Sequence, residues 1–154
     1  MSAPQTAPDA GGQGPGSPDG PDQQLARRID TIEEAYEFFL AYASQGHPSD
    51  HPSARGDQIR QYLSRCDGAL TGLGESVLSL VEHAGLPPAP YLAFVGVIDR
   101  DGRDASAAIQ LVLSLAAIGS QVVDNLNASI HLRALLTDLF LIDEVLKTAS
   151  QRSG

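Results

Sequence analysis

The sequence predicts an all-α fold, a four-helix up-down bundle preceded by a disordered N-terminal tail. Apolar residues recur three and four positions apart through most of the chain after residue 24, which is the spacing of one helical face. Only one short run resembles a strand, and a lone strand has no neighbour to pair with. Turn signals at Gly46, Gly85 and Gly119 divide the helical pattern into four segments.

Residues 1–24 differ in composition from the rest of the chain. They hold five prolines, five glycines and three aspartates, with no basic residue and no Leu, Ile, Val or aromatic side chain. Such a segment cannot bury enough apolar surface to offset the entropy lost on ordering. We therefore expect a disordered acidic tail over 1–24 and one helical bundle domain over 25–150.

The first helix is predicted to begin at an Asp30 cap and to end at Gly46. Thr31 and Glu34 have the spacing of a capping box, and an apolar face follows them. Gly46 can end the helix in the left-handed conformation.

The second helix is predicted from Asp57 to Gly85 as one element of seven turns. Gly68 and Gly72 lie within it, and each costs up to about 1 kcal/mol relative to alanine. Because they are four residues apart, they share a face that another backbone could approach closely. Local flexibility or a kink explains them equally well.

Residues 91–98, "YLAFVGVI", have two interpretations. They could form a strand, followed by a turn and a helix from Asp104, because Val and Ile favour strands. Alternatively, one helix could run from Pro90 to about Ile118, with a break near Gly102. The absence of a second strand-like run favours the helix, whose face would hold Leu92, Val95, Asp99, Gly102, Ser106, Ile109, Leu113 and Ala116.

The C-terminal segment carries a wide apolar stripe. Gly119–Ser120 marks either a turn before it or a kink, so 104–149 could be two helices or one. The stripe comprises Leu132, Leu135, Leu136, Leu139, Ile142, Val145, Leu146 and Ala149, widened by Phe140 and Leu141. So broad a surface usually faces either the bundle centre or another subunit. We expect a subunit interface formed by Gly68, Gly72, Leu136, Phe140 and Leu141.

Charge and composition argue against several classes of protein. A net charge of −9 repels phosphate backbones and anionic lipids. No apolar run approaches the roughly 20 residues of a membrane span. Cys66 is the only cysteine, so it can form no intrachain disulfide and no thiolate cluster. These features predict a cytoplasmic protein that binds neither nucleic acid nor membranes.

The stretch "GHPSDHPSARGD" is the nearest approach to a chemical motif. His47, Asp50 and His51 could supply metal ligands, but the intervening prolines make a shared helical face improbable. They would need a further ligand, and His131 in the last helix is a weak candidate. The chain contains no Glu-x-x-His pair and no phosphate-binding loop ending in Lys-Ser or Lys-Thr. We therefore expect no cofactor.

The absence of a catalytic constellation, together with the broad apolar stripes, predicts a non-enzymatic helical interaction protein. It would be an adaptor, an assembly factor or a regulatory accessory factor with a protein partner, and a homodimer. The alternative is a small-ligand or metal-binding bundle that uses the loop of His47, Asp50 and His51. An enzyme with a site at the same end of the bundle has the weakest support.

Overall fold

The structure is a computed structural model of the 154-residue chain, and it describes residues 20–49 and 54–152. Over these residues the chain is entirely α-helical outside its turns, which confirms the predicted all-α class. The described part contains α1 (Pro21–Ser44), α2 (Ala54–Leu70), α3 (Leu73–His83), α4 (Ala89–Leu113), α5 (Ser120–Ala128) and α6 (His131–Arg152). None of these helices is both long and apolar enough to cross a membrane.

The first helix begins earlier than the sequence predicts. Its N-cap is Gly20 in extended conformation and Pro21 occupies its first turn, where the missing proline N–H leaves no helical hydrogen bond unmade. The cap predicted at Asp30 is therefore wrong, and 21–24, assigned to the tail, are helical. Burial of Leu25 and Ile29 stabilises the extra turns. The rest of the predicted tail, residues 1–19, lies outside the described residues.

The C-terminal end of α1 agrees with the sequence prediction. The helix ends at Ser44, and Gly46 follows with φ of +68°, the left-handed conformation that glycine adopts without steric cost.

The second predicted helix is two helices, because the chain breaks at Thr71–Gly72. Gly72 has φ of +77°, a left-handed conformation that interrupts the helix between the end of α2 and the start of α3. The Arg28 guanidinium on α1 donates hydrogen bonds to the carbonyls of Ala69 and Thr71 at this break. A single seven-turn helix from Asp57 to Gly85 is therefore wrong, and the kink interpretation of the glycines is the better one.

Residues 91–98 are helical, so the strand alternative is wrong. α4 runs without a break through Gly102, which lies buried where α4 passes the end of α2; a Cβ there would sit 3.8 Å from the Leu70 carbonyl oxygen. α4 stops at Leu113, before the predicted Ile118, and Arg60 of α2 donates hydrogen bonds to carbonyls just beyond its end. The face that α4 buries also differs from the predicted one and comprises Tyr91, Val95, Ile98, Gly102, Ala105, Ile109 and Val112.

The C-terminal segment is interrupted a second time. α5 ends at Ala128 and α6 begins at His131, and Ile130 between them has φ of +64°. A β-branched residue rarely adopts this conformation. Residues 104–149 are therefore neither one helix nor two, since they span the end of α4, all of α5 and most of α6.

One continuous set of buried apolar side chains joins the helices. Both α1 and α4 contact α2, α3, α5 and α6, so each of these two helices packs against both the α2–α3 and the α5–α6 segments. The α1–α6 contact is less extensive than the α1–α2 and α4–α6 contacts, and a groove opens between α1 and α6.

Candidate functional site

Within the stretch "GHPSDHPSARGD", the described residues 46–49 lie against the start of α5. The His47 backbone N–H donates to the Ser120 Oγ at 2.7 Å, and the Ser120 N–H donates to the His47 carbonyl at 2.8 Å. Ser120 Oγ donates in turn to the Tyr42 carbonyl at 2.7 Å, and the buried Tyr42 hydroxyl donates to the Ile118 carbonyl at 2.7 Å. We call this set, with Gly119, the loop junction. It satisfies backbone groups at the end of α1 and the start of α5.

The His47 imidazole contacts two residues that lie close to it in sequence, Tyr42 and Gln45. Its ring stacks on the Tyr42 ring, with 4.8 Å between centroids, and its Nε2 lies 2.9 Å from the Gln45 Oε1. His131 is exposed at the first position of α6. In 20–49 and 54–152, no three His, Cys, Asp or Glu side chains are placed to hold a metal ion. Asp50 and His51 lie outside the described residues, so the metal site stays a prediction.

The five residues predicted as a subunit interface lie in different environments. Leu136 is buried in the core, whereas Phe140 and Leu141 are half-exposed on α6. Gly68 is exposed, and a Cβ added there would meet nothing within 4 Å. Gly72 is exposed at the α2–α3 break, where it adopts the positive φ of the turn. Of these five residues, Phe140 and Leu141 are the two that expose large apolar side chains.

The single thiol is sealed inside the core. Cys66 is fully buried among apolar side chains, and this burial, reinforced by the negative charge of Asp67, raises the pKa of the thiol to about 12. At neutral pH the thiolate, which is the nucleophilic form, is therefore almost absent.

Two carboxyl groups meet between α4 and α6. Burial, a hydrogen bond with Asp101 and the charge of Asp101 together raise the pKa of Asp138 from 3.8 to about 7. The Asp138 Oδ2 is shielded from solvent and has no hydrogen-bond partner. At neutral pH Asp138 is therefore about half protonated, and its protonated form is the one that can donate a hydrogen bond to Asp101 across the two helices.

An uncharged groove of about 420 Å³ lies between the end of α4 and α5. We call it the α4–α5 groove. No ionisable residue lines it, and its rim carries Leu111, which is 71% exposed, and Leu115, which is 39% exposed. Ile130, 58% exposed, follows directly after the lining residue Ser129. The remaining lining comprises Ala108, Val112, Val122, Asn125 and Leu126.

A second groove, of about 580 Å³, is bounded by α1, α3 and α6 and has a different character. We call it the acidic groove. Leu25, Ile29 and Leu146 are buried beneath it, and Phe140, 50% exposed, lines it. Its charged lining comprises Asp22, Asp30, Glu33, Asp143 and Lys147. Four carboxylates against one ammonium group leave a local charge of −3 when all are ionised.

Leu111 and the acidic groove were not predicted from the sequence, for different reasons. The predicted face of α4 held Leu92 and Asp99, both of which are exposed. The sequence also contains a more apolar helical face through Tyr91, Val95 and Ile98, which is the face that α4 buries. Leu111 does not lie on that face. No local signal could have revealed the acidic groove, because its carboxylates come from two helices about 110 residues apart.

Comparisons of the chain with family models, curated proteins and solved structures found no match.

Proposed function

We propose that this chain is a non-enzymatic helical interaction protein that pairs with a second copy of itself through the α4–α5 groove. The observation that carries the proposal is the apolar rim of that groove, where Leu111 and Leu115 are exposed, with the exposed Ile130 next in sequence to the lining residue Ser129. Solvent-exposed apolar side chains grouped around a depression favour burial against a partner.

Charge determines which partner suits this groove. Two copies of a chain with net charge −9 repel each other, so they need a contact that brings no further carboxylates together. The α4–α5 groove meets this need because no ionisable side chain lines it. In a two-fold dimer each copy contributes the same patch, so the protruding Leu111 of one copy can enter the depression of the other.

Three further features belong to the same proposal. The chain is cytoplasmic, binds neither nucleic acid nor membranes, and folds as a four-helix up-down bundle in which α2–α3 and α5–α6 are each one interrupted helix. The contacts support this arrangement, since α1 and α4 each contact both interrupted helices.

Static light scattering tests the proposal. At about 50 μM the wild-type chain should show twice the 16.2 kDa mass of one chain, because mass action favours the dimer at this concentration. Leu111→Glu would place a carboxylate in the uncharged contact and should weaken the dimer at least about tenfold.

Leu92→Glu is the matched control, because Leu92 is 54% exposed on the same helix but does not line the groove. It should leave the mass unchanged. Leu141 of α6 is as exposed as Leu92, and Leu141→Glu tests the interface predicted from the sequence. A monomeric wild type would overturn the proposal, and dissociation by Leu141→Glu alone would move the contact to α6.

A further inference from the structure

We infer that the acidic groove between α1, α3 and α6 binds a basic amphipathic helix of another protein. This inference rests on the proposed function as an interaction protein and adds a second partner at a different surface. The apolar floor of the groove, the charge of its walls and its length each favour such a partner.

The floor of the acidic groove offers an anchor for apolar side chains. Leu25, Ile29 and Leu146 are buried, whereas Phe140 has half of its surface exposed at the groove. A half-exposed aromatic ring beside buried aliphatic side chains is the arrangement that a partner's apolar residue can complete. Aromatic anchors in such pockets supply a large share of the binding free energy in protein interfaces.

The walls of the groove determine the charge of the partner. Lys147, the only basic residue of the lining, is paired with Asp143 at 2.8 Å between Nζ and Oδ2. Asp22, Asp30 and Glu33 therefore leave an excess of negative charge. Partial burial and the charges of Asp30, Glu37 and Asp143 raise the pKa of Glu33 above its ordinary value, so these carboxylates repel one another. Lysine or arginine side chains from a partner would relieve that repulsion.

The length of the groove matches a short helix. Its α1 wall runs from Asp22 to Glu33 and its α6 wall from Phe140 to Gln151. Eleven helical steps span about 17 Å, which is about three turns of a docked helix. A partner helix with apolar residues at i, i+3 or i+4, and i+7 would place them along the floor and its basic residues against the walls.

Charge argues against the other occupants that the chain itself could supply. Residues 1–19 contain two aspartates and no lysine or arginine, so they would add to the repulsion. A second copy of the chain brings a net charge of −9. A basic partner gains from both the floor and the walls.

Fluorescence anisotropy tests the inference with a labelled probe peptide of about 18 residues, long enough to form helix on binding. The probe carries leucines at helical spacing on one face and only lysines on the flanks, and a matched peptide has glutamate in place of every lysine. The full-length chain should bind the lysine peptide at least about tenfold tighter than the glutamate peptide. Affinity should fall as sodium chloride rises, because salt screens exposed charges.

Matched variants locate the binding site. Phe140→Ala should weaken binding about tenfold, because it removes the anchor. Leu141→Ala, the neighbouring α6 residue that does not line the groove, should change it less than about twofold. Neutralising the wall with Asp30→Asn and Glu33→Gln together should weaken binding about fivefold at low salt. Glu34→Gln, at an exposed position outside the lining, is the control for that pair.

Equal binding of both peptides, or loss of binding with Leu141→Ala but not with Phe140→Ala, would overturn the inference. Unchanged affinity in the Asp30→Asn, Glu33→Gln double variant would also overturn it, and this variant keeps the core intact. These outcomes are independent of dimerisation, because Leu111→Glu changes the mass in light scattering without touching the acidic groove. A dimer that fails to bind the lysine peptide would refute this inference and leave the proposed function in place.

Discussion

Replacement of Asp138 by asparagine should stabilise the protein at high pH and have little effect at low pH. In the folded state Asp138 faces Asp101 across the α4–α6 contact, with one of its oxygens buried and unpaired. The folded state holds a proton on this carboxyl up to about pH 7, whereas an unfolded aspartate releases it near pH 3.8. The folded state therefore binds more protons in this window, and stability falls as the pH rises through it.

The size of the effect follows from the pKa and the exposure of the side chain. For a fully buried carboxyl, a rise from 3.8 to about 7 would cost about 4 kcal/mol once the group ionises. Asp138 is only half-buried, and water screens part of the repulsion. We therefore expect Asp138→Asn to raise the free energy of unfolding by about 1–2 kcal/mol at pH 8. At about pH 4 the protonated carboxyl and the amide are nearly equivalent donors to Asp101, so the difference should approach zero.

Urea-induced unfolding, followed by far-ultraviolet circular dichroism at several pH values between about 4 and 8, measures this difference. Asp101→Asn should give a similar gain, and the double variant should gain little more than either single one, because both remove the same repulsion. Asp104→Asn, at an exposed position of α4, should change stability by less than about 0.5 kcal/mol at every pH. A stability difference for Asp138→Asn that does not vary with pH would refute the reasoning.

Two further predictions concern the loop junction and are measured by thermal unfolding. Gly119→Ala should lower the free energy of unfolding by about 2–3 kcal/mol. The new Cβ would lie 2.6 Å from the carbonyl oxygen of Pro48, a backbone atom that directly follows His47 of the loop junction. Gly96→Ala, where the Cβ meets nothing within 4 Å on α4, should instead stabilise by about 0.5–1 kcal/mol, and equal effects at the two glycines would contradict this account. Tyr42→Phe should lower the free energy of unfolding by about 0.5–1.5 kcal/mol, because it removes the buried hydrogen bond from the Tyr42 hydroxyl to the Ile118 carbonyl; no loss would show that this hydrogen bond contributes nothing.

The sequence by itself determined the features that depend on local chemistry. The period of the apolar residues places helices over most of the chain, and it places Cys66, Leu132 and Leu139 on buried faces. Gly46 ends α1 in the left-handed conformation because only glycine adopts that conformation without steric cost. These outcomes depend on residues within a turn or two of each other.

Only the tertiary structure decided where the helices break and what their faces meet. The breaks at Gly72 and Ile130 have positive φ values, and the helices on both sides of each break contribute residues to the same buried core. The raised pKa of Asp138 comes from Asp101 on another helix, 37 residues earlier. Side-chain desolvation and charge repulsion depend on which groups are close in space. Helical periodicity does not predict which carboxylates or leucines from distant parts of the sequence become neighbours.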